Sequence, residues 1–376
     1  MVNSVGTRDS LAYACEFDVS GYAVAARRYL RALSRASVSV SWLPLENTAR
    51  GRTCVDQPVD APAELCALPH ATGEEHTLLA HCMPQSWREL RETRGARRLI
   101  GQTVWENEAV PERWHRELAP ADEIWVPTEW NASTLRAAGV AAEIHVVPHV
   151  VDDGTFTAPP LVIGSGRFVF ASVCTWDWRK RPDLLLHAFL RAFTADDDVT
   201  LVLKTGANAL SWPGMPRTGR PTWRYVMDVV RQYPDAAHVV LDTESWTDQE
   251  MAGLWQLADC YVSLTSVEGW GLGAFDAAVA GVPLIITGYG GQLAWLGDDH
   301  PGLVPFTIVP ADHPDRSMFE PGMSWALAEL DAAVDLMRAA VDGHADFVSH
   351  APALSARLTD QYSEAAVGHI MSEVLS

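Results

Sequence analysis

Short, nearly continuous apolar runs alternate with stretches of helical spacing along most of this chain. Period and flanking turn residues predict strands at 11–17, 38–45, 77–82, 99–105, 123–127 and 144–147. Helices are predicted over 22–33 and over 129–138, the latter capped by Thr128. Residues 46–75 are rich in Pro, Gly, Cys and acids without a period, and read as loop with short local structure. The segment 149–166 carries acids, a Pro pair and glycines, and reads as a linker. A second series follows, with strands at 168–174, 199–204, 238–241, 260–264 and 284–287. Its helices are expected at 182–193, 223–232, 248–258 and 272–280. Thr247 with Glu250 three residues later is a capping-box pattern for the third of these. The last segment, 353–375, reads as one amphipathic helix.

Two series of strand–helix units imply two parallel sheets covered by helices on both faces. The expected domains are 1–155 and 156–350, with 351–376 a C-terminal helix that could return to the first domain. Ligands of such sheets lie beyond the carboxyl ends of the strands, and two facing domains would enclose a deep cleft. The alternation alone fits any pair of Rossmann-like domains.

The 376 residues, 48% of them hydrophobic and 20% charged, suffice for two cores and exclude a largely disordered chain. A net charge of −20 repels phosphate backbones, so nucleic acid is not an expected partner. An anionic ligand would need a local group of cations. Lysine occurs only at Lys180 and Lys204, at the ends of neighbouring predicted strands. An ammonium is a point charge that a guanidinium does not replace, although arginine-rich coding in a GC-rich genome leaves two lysines by chance as well.

The six cysteines form no CxxC pair and no zinc spacing, which predicts buried reduced thiols and no metal site. No basic-plus-apolar leader and no apolar run of about 18 residues is present, so a cytoplasmic protein without a transmembrane segment is expected. The sequon at Asn131 then reads as nothing beyond a helix start.

The densest chemistry lies in EGWGLGAFDAAVAGVPLIITGYGG, from Glu268 to Gly291. A predicted strand ends just before it, and a helix opens at Gly271 and Leu272, where unpaired amides and the dipole favour a phosphate. Glu268 before the helix and Asp276 inside it could face one hollow, and a carboxylate accepts two hydrogens from a vicinal diol. One could hold a sugar and the other a ribose. Small residues at these spacings also suit plain helix packing, and glycine spacing by itself is a weak signal.

Upstream, TWDWRKRPDLLLHAF sets Arg179, Lys180 and Arg181 before Pro182 at a helix start. Three cations there oppose the dipole and call for an anion, which a diphosphate would supply. A solvated turn paired with Asp177 and Asp183 is the competing reading, stronger for Arg181 than for Lys180. In the first half, Ser20 and Gly21 stand between a strand and a helix, where Gly21 reads equally as a phosphate approach or as an ordinary helix cap. His81 and Glu106 follow strand ends and are candidates on the acceptor side, a lone His there being more often structural. His149 and Asp152 read as structural. Of fifteen tryptophans, Trp176, Trp178 and Trp270 adjoin these segments, and packing is their expected role ahead of sugar stacking.

The Glu268–Gly291 string resembles the EX7E segment of retaining GT-B glycosyltransferases of family four. The resemblance implies an α/β fold of GT-B type, two Rossmann-like domains facing a deep interdomain cleft. It assigns the donor sugar to Glu268 and the nucleotide ribose to Asp276, where this chain has Asp for the usual Glu. Lys180 matches the lysine on the leaving diphosphate, while Thr175 replaces the family's arginine and leaves Arg179 or Lys204 to supply that charge. FDVSGYAVAARRYLRAL resembles the first phosphate-side loop, one of whose two glycines is Ser20 here. The family's histidine near Glu106 is missing.

Transfer from a nucleoside diphosphate sugar to a hydroxyl of a small-molecule or saccharide acceptor is thus expected, with retention and no cofactor or metal. Antibiotic or other natural-product biosynthesis is the expected setting. A cell-envelope transferase, a non-catalytic sugar-nucleotide scaffold, a two-carboxylate glycosidase and a nucleotide-sugar epimerase are the rivals.

Overall fold

The computed structural model describes residues 11–48, 51–56, 58–71, 77–152, 158–162, 168–207, 212–213, 219–343 and 346–376. Two compact units are built from it. One comprises Met1–Trp105, Ala109–Val151 and Asp360–Ser376; the other comprises Glu106–Glu108 and Asp152–Thr359.

The first unit holds a seven-stranded sheet made of β1 (Leu11–Glu16), β2 (Val40–Thr48), β3 (Gly51–Cys54), β4 (Thr77–His81), β5 (Arg98–Gln102), β6 (Glu123–Val126) and β7 (Glu143–Val146). Its order is β3-β2-β1-β4-β5-β6-β7, parallel throughout except for the β2–β3 hairpin. That hairpin and the short helix Ala63–Cys66 are the local structure within the loop expected over 46–75, residues 49–50, 57 and 72–76 lying outside the described residues. Glu46–Thr53 pairing carries β2 beyond its apolar run, so a polar edge hairpin left no hydrophobic alternation to read. Central strands are sealed on both faces, as β1 with all six residues buried illustrates.

The second unit holds β8 (Phe168–Val173), β9 (Val199–Lys204), β10 (His238–Asp242), β11 (Cys260–Ser263), β12 (Leu284–Thr287) and β13 (Leu303–Val304), all parallel, in the order β10-β9-β8-β11-β12-β13. Phe170, Phe189, Phe193, Leu201 and Val262 anchor the core between this sheet and its helices. The expected capping box forms, Thr247 and Glu250 each accepting from the other's backbone. An antiparallel pair, β14 (Phe306–Pro310) and β15 (Ser324–Ala328), lies outside the strand–helix series and was not anticipated.

In each sheet the connections run one way from the first strand and the other way from its neighbour. The reversal falls between β1 and β4 in the first unit and between β8 and β11 in the second. In open parallel sheets the loops beyond the strand ends at such a reversal are where ligands usually bind.

The single helix expected over 353–375 is two, Asp346–Gln361 and Glu364–Leu375. Ser363 restarts the chain as an N-cap, its hydroxyl accepting from Ala366 N. The second helix belongs to the first unit, where Arg31 Nε meets Glu364 Oε1 at 3.1 Å and Gly368 lies against the Ala32 carbonyl. Of the expected linker, 153–157 and 163–167 lie outside the described residues, and Leu161 N donates to Gly253 O. All six cysteines are unpaired; Cys15, Cys82 and Cys260 are buried, whereas Cys66 is exposed, against the expectation of buried thiols.

Candidate functional site

The chain leaves β8 through a tight turn, Trp178–Lys180, capped by Asp177, whose Oδ1 accepts from Arg179 N at 3.0 Å. Arg181 follows with φ 48°, and Pro182 opens the helix Pro182–Ala192. Arg181 is taken up locally: Nε and Nη2 meet the two Asp183 oxygens at 3.2 and 3.1 Å, and its guanidinium covers the Trp178 ring. The locally paired reading therefore holds for Arg181. Arg179 and Lys180 point elsewhere.

The neighbouring strand β11 delivers Thr265, Ser266, Val267 and Glu268, all buried. Its loop is tied to the β8 turn through one carbonyl, Arg179 O, which accepts from Ser266 N at 2.8 Å and from Thr265 Oγ1 at 3.2 Å. Lys180 Nζ donates to Glu268 Oε1. Arg179 Nη1 donates to Glu268 Oε2 at 3.2 Å and to Val267 O at 2.7 Å, while Nη2 meets Glu106 Oε1 at 3.3 Å. The anions that balance the basic turn are therefore two carboxylates of the fold itself, an arrangement no spacing announced.

Burial pushes the Glu268 carboxyl up, and Lys180 with Arg179 reverses this and holds it below its ordinary value. Glu106 goes the other way: burial raises it, and Arg179 and Lys180 only partly offset that. Burial opposes charge on Arg179, yet Glu106, Glu268 and Asp177 leave it more firmly protonated than usual.

Gly290 and Gly271 shape what surrounds Glu268. Gly290 has φ 93°, and a Cβ there would lie 2.7 Å from Glu268 O, the carbonyl that also accepts from Gly291 N. Gly271 has φ 81° and begins the helix Leu272–Val279, whose first turn no side chain caps. Asp276 is half-buried on that helix. Burial raises the Tyr261 hydroxyl, and Cys174, Glu268 and Asp276 add to the effect. Trp176 and Trp270 are core residues, as expected of packing.

Lys204, at the end of β9 and in register with Val173, is buried but turned to other partners. Its Nζ donates to Glu244 O at 2.5 Å, lies 3.8 Å from Asp242 Oδ1 and sits over the Trp246 ring. It does not touch Glu268, so Arg179 supplies the second cation beside that carboxylate.

In the first unit, the loop after β1 and the end of β4 adjoin at the reversal of strand order, with Cys15 opposite His81. Ser20 caps the helix Gly21–Arg35, its hydroxyl accepting from Ala23 N, and Gly21 is exposed at the helix start. His81 is enclosed rather than presented to an opening: 1% exposed, with Nδ1 2.8 Å from the Tyr13 hydroxyl and the Tyr22 and Tyr29 rings against it. Burial drives its pKa down to about 3. An imidazole sealed among phenols in this way matches the structural reading of a lone histidine at a strand end.

Glu106 joins Arg179, and Asn107 beside it donates to Ser324 O at 2.9 Å. Asp177, Asn107, Thr265 and Ser266 carry this geometry without having been chosen from the sequence as site residues; only their adjacency to strand ends could have suggested them. Among the described residues no group of three or more His, Cys, Asp or Glu could hold a metal ion. None of the described helices is long and apolar enough to cross a membrane.

No family model and no curated protein sequence matches this chain. Solved structures do match. A sucrose-phosphate synthase from Thermosynechococcus elongatus is 15% identical over 98% of both chains, with a TM-score of 0.68. A glycosyltransferase from Rickettsia africae is 11% identical over 98% of both, with a TM-score of 0.67. A structure described as trehalose-6-phosphate from E. coli bound with UDP-2-fluoro glucose is 12% identical over 97% of this chain and 98% of that one, with a TM-score of 0.64. The fold is that of GT-B glycosyltransferases, two Rossmann-like α/β domains with parallel sheets.

Proposed function

We propose that this chain is a retaining glycosyltransferase of the family-four type, moving a sugar from a nucleoside diphosphate sugar to an acceptor hydroxyl. The observation that carries the reading is the convergence of Lys180 and Arg179 on Glu268 at the switch point between β8 and β11. A donor diphosphate would draw Lys180 and Arg179 toward its own oxygens and rest on the amides at Gly271 and Leu272. Glu268, relieved of part of its pairing, would accept hydrogens from the sugar hydroxyls, and Asp276 would accept them from the ribose. The C1–oxygen bond to the diphosphate breaks, the acceptor oxygen bonds to C1 on the same face, and its proton passes to the departing phosphate oxygen.

Lys204 is assigned a supporting donor contact, and Glu106 orients Arg179 while remaining the acceptor-side candidate. These side chains carry the charge compensation in this reading, with no cofactor invoked. Arginine-rich, lysine-poor coding fits a GC-rich bacterium, where small natural products and cell-envelope saccharides are both available acceptors; the sequence shows no basic amphipathic membrane patch, which favours the small acceptor, and an acceptor panel separates the two. Six unpaired thiols suit a reducing compartment, which supports a cytoplasmic setting for the proposed reaction.

The test is thermal denaturation with uridine, guanosine and thymidine diphosphates, followed by turnover of the matching donor sugars. UDP, which the E. coli neighbour binds in sugar-linked form, is the first probe. Ligand at about 100 times Kd should add about 2.7 kcal/mol of stability. K180A and E268A should each lower turnover by about 100-fold or more while the circular dichroism stays native. Near-normal turnover in both variants would remove the reading, and nucleotide binding without turnover on any acceptor would favour a non-catalytic binder.

A further inference from the structure

The hairpin β14–β15 reaches three segments of the site at once. Ala326 N donates to Ser266 O at 3.1 Å, two residues before Glu268. Ser324 O accepts from Asn107, next to Glu106. The third contact is His313, in the connection between the two strands. It is 4% exposed, packed against Phe319 and edge-on to Trp325. Its Nδ1 accepts from Asp315 N at 3.0 Å, which leaves the ring proton on Nε2. That nitrogen lies 3.5 Å from Asp177 Oδ1, the same oxygen that receives Arg179 N and closes the basic turn, a close electrostatic contact longer than a formed hydrogen bond.

We infer that His313 is a positioning residue, acting through Asp177 to hold the turn that presents Arg179 and Lys180. The Asp177 side chain is 14% exposed, and an N–H dipole 3.5 Å from a largely buried carboxylate favours its charged form and restrains where it points. Burial pushes its carboxyl up, and His313 with Arg179 brings it below its ordinary value. The imidazole is held in turn by its backbone donor and two aromatic neighbours, so its N–H has a fixed direction. The turn is thereby set by a hairpin that lies outside the strand–helix series. Only the ligand-binding part of this inference rests on the donor reading above.

The test compares H313F, which keeps a ring and loses the N–H, with H313Q, whose amide can restore a donor near the Nε2 position. Hydrogen exchange at the Arg179 amide is read in the ligand-free protein, and UDP affinity is read separately. H313F should speed that exchange about tenfold and weaken UDP by about 10–100-fold, and H313Q should recover most of both. Unchanged exchange in H313F, or H313Q as impaired as H313F, overturns the inference. Should H313F not fold, H313N takes its place, since its shorter amide can serve Asp315 N but not reach Asp177. If wild-type protein binds no nucleotide, the donor reading fails, while the Arg179 exchange still decides the role of His313.

Discussion

Lys180 and Glu268 stand 88 positions apart in the chain and meet as a direct ion pair, with Arg179 on the second carboxylate oxygen. The pairing follows from sheet order, because β8 and β11 are hydrogen-bonded neighbours whose following loops begin side by side. A carboxylate between two cations in a shielded place is strongly ionised and ready to exchange partners with a more highly charged anion.

The two glutamates on Arg179 should respond to pH in opposite senses. The Glu268 pKa is depressed in the fold, so its contribution to stability is complete above the unfolded value of about 4.3 and is lost as pH falls through the folded value. The Glu106 pKa is raised, so the fold favours its protonated form and ionising it is destabilising as pH rises. At pH 7, E268Q should lose about 1–3 kcal/mol of stability, whereas E106Q should match or exceed wild type. Denaturant titrations from pH 7 down to pH 3 check this, the E268Q deficit shrinking in acid. Equal losses in both variants would refute the assignment.

Gly290 should tolerate no side chain. Its φ of 93° and the 2.7 Å approach of a Cβ to Glu268 O mean that G290A must strain or shift the backbone that carries Glu268. We expect a stability loss of about 1–3 kcal/mol together with a fall in kcat/KM. Chemical denaturation and donor kinetics measure the two, and a stable, fully active G290A would contradict the geometry.

Asp276 should matter for holding the donor more than for the chemical step. A hydrogen bond to a charged group contributes about 1.5–3 kcal/mol, so D276A should raise the donor KM by about 10–100-fold with a smaller change in kcat. Wild type should discriminate against a 2′,3′-dideoxy nucleotide sugar, and D276A should not. If both enzymes treat that analogue alike, Asp276 does not bind the ribose.

Much of the architecture was legible beforehand. The strand Leu284–Thr287 falls where the apolar run placed it, and Thr247 with Glu250 forms the expected box, since such signals are local. The hairpin of β14 and β15 was invisible, because β14 exposes much of its surface and β15 owes its place to a partner strand. His313 shows the same limit within the site: nothing near it in the chain distinguishes it from any other histidine.

The amino-acid order determined by itself what depends on neighbours a few residues away. That includes the alternation of strands and helices, the caps, the Gly-rich turn after Glu268 and the basic turn before Pro182. It also restricted lysine to two positions, one in the turn that follows β8 and one at the end of β9. Tertiary structure decided which charges meet. Of the two lysines, only Lys180 reaches Glu268, while Lys204 is drawn to Glu244 O and Trp246. His81 was closed in among phenols, and Glu106 was set on Arg179. Sheet order and burial make these choices, and both are sums over contacts distant in the chain, which no local pattern encodes.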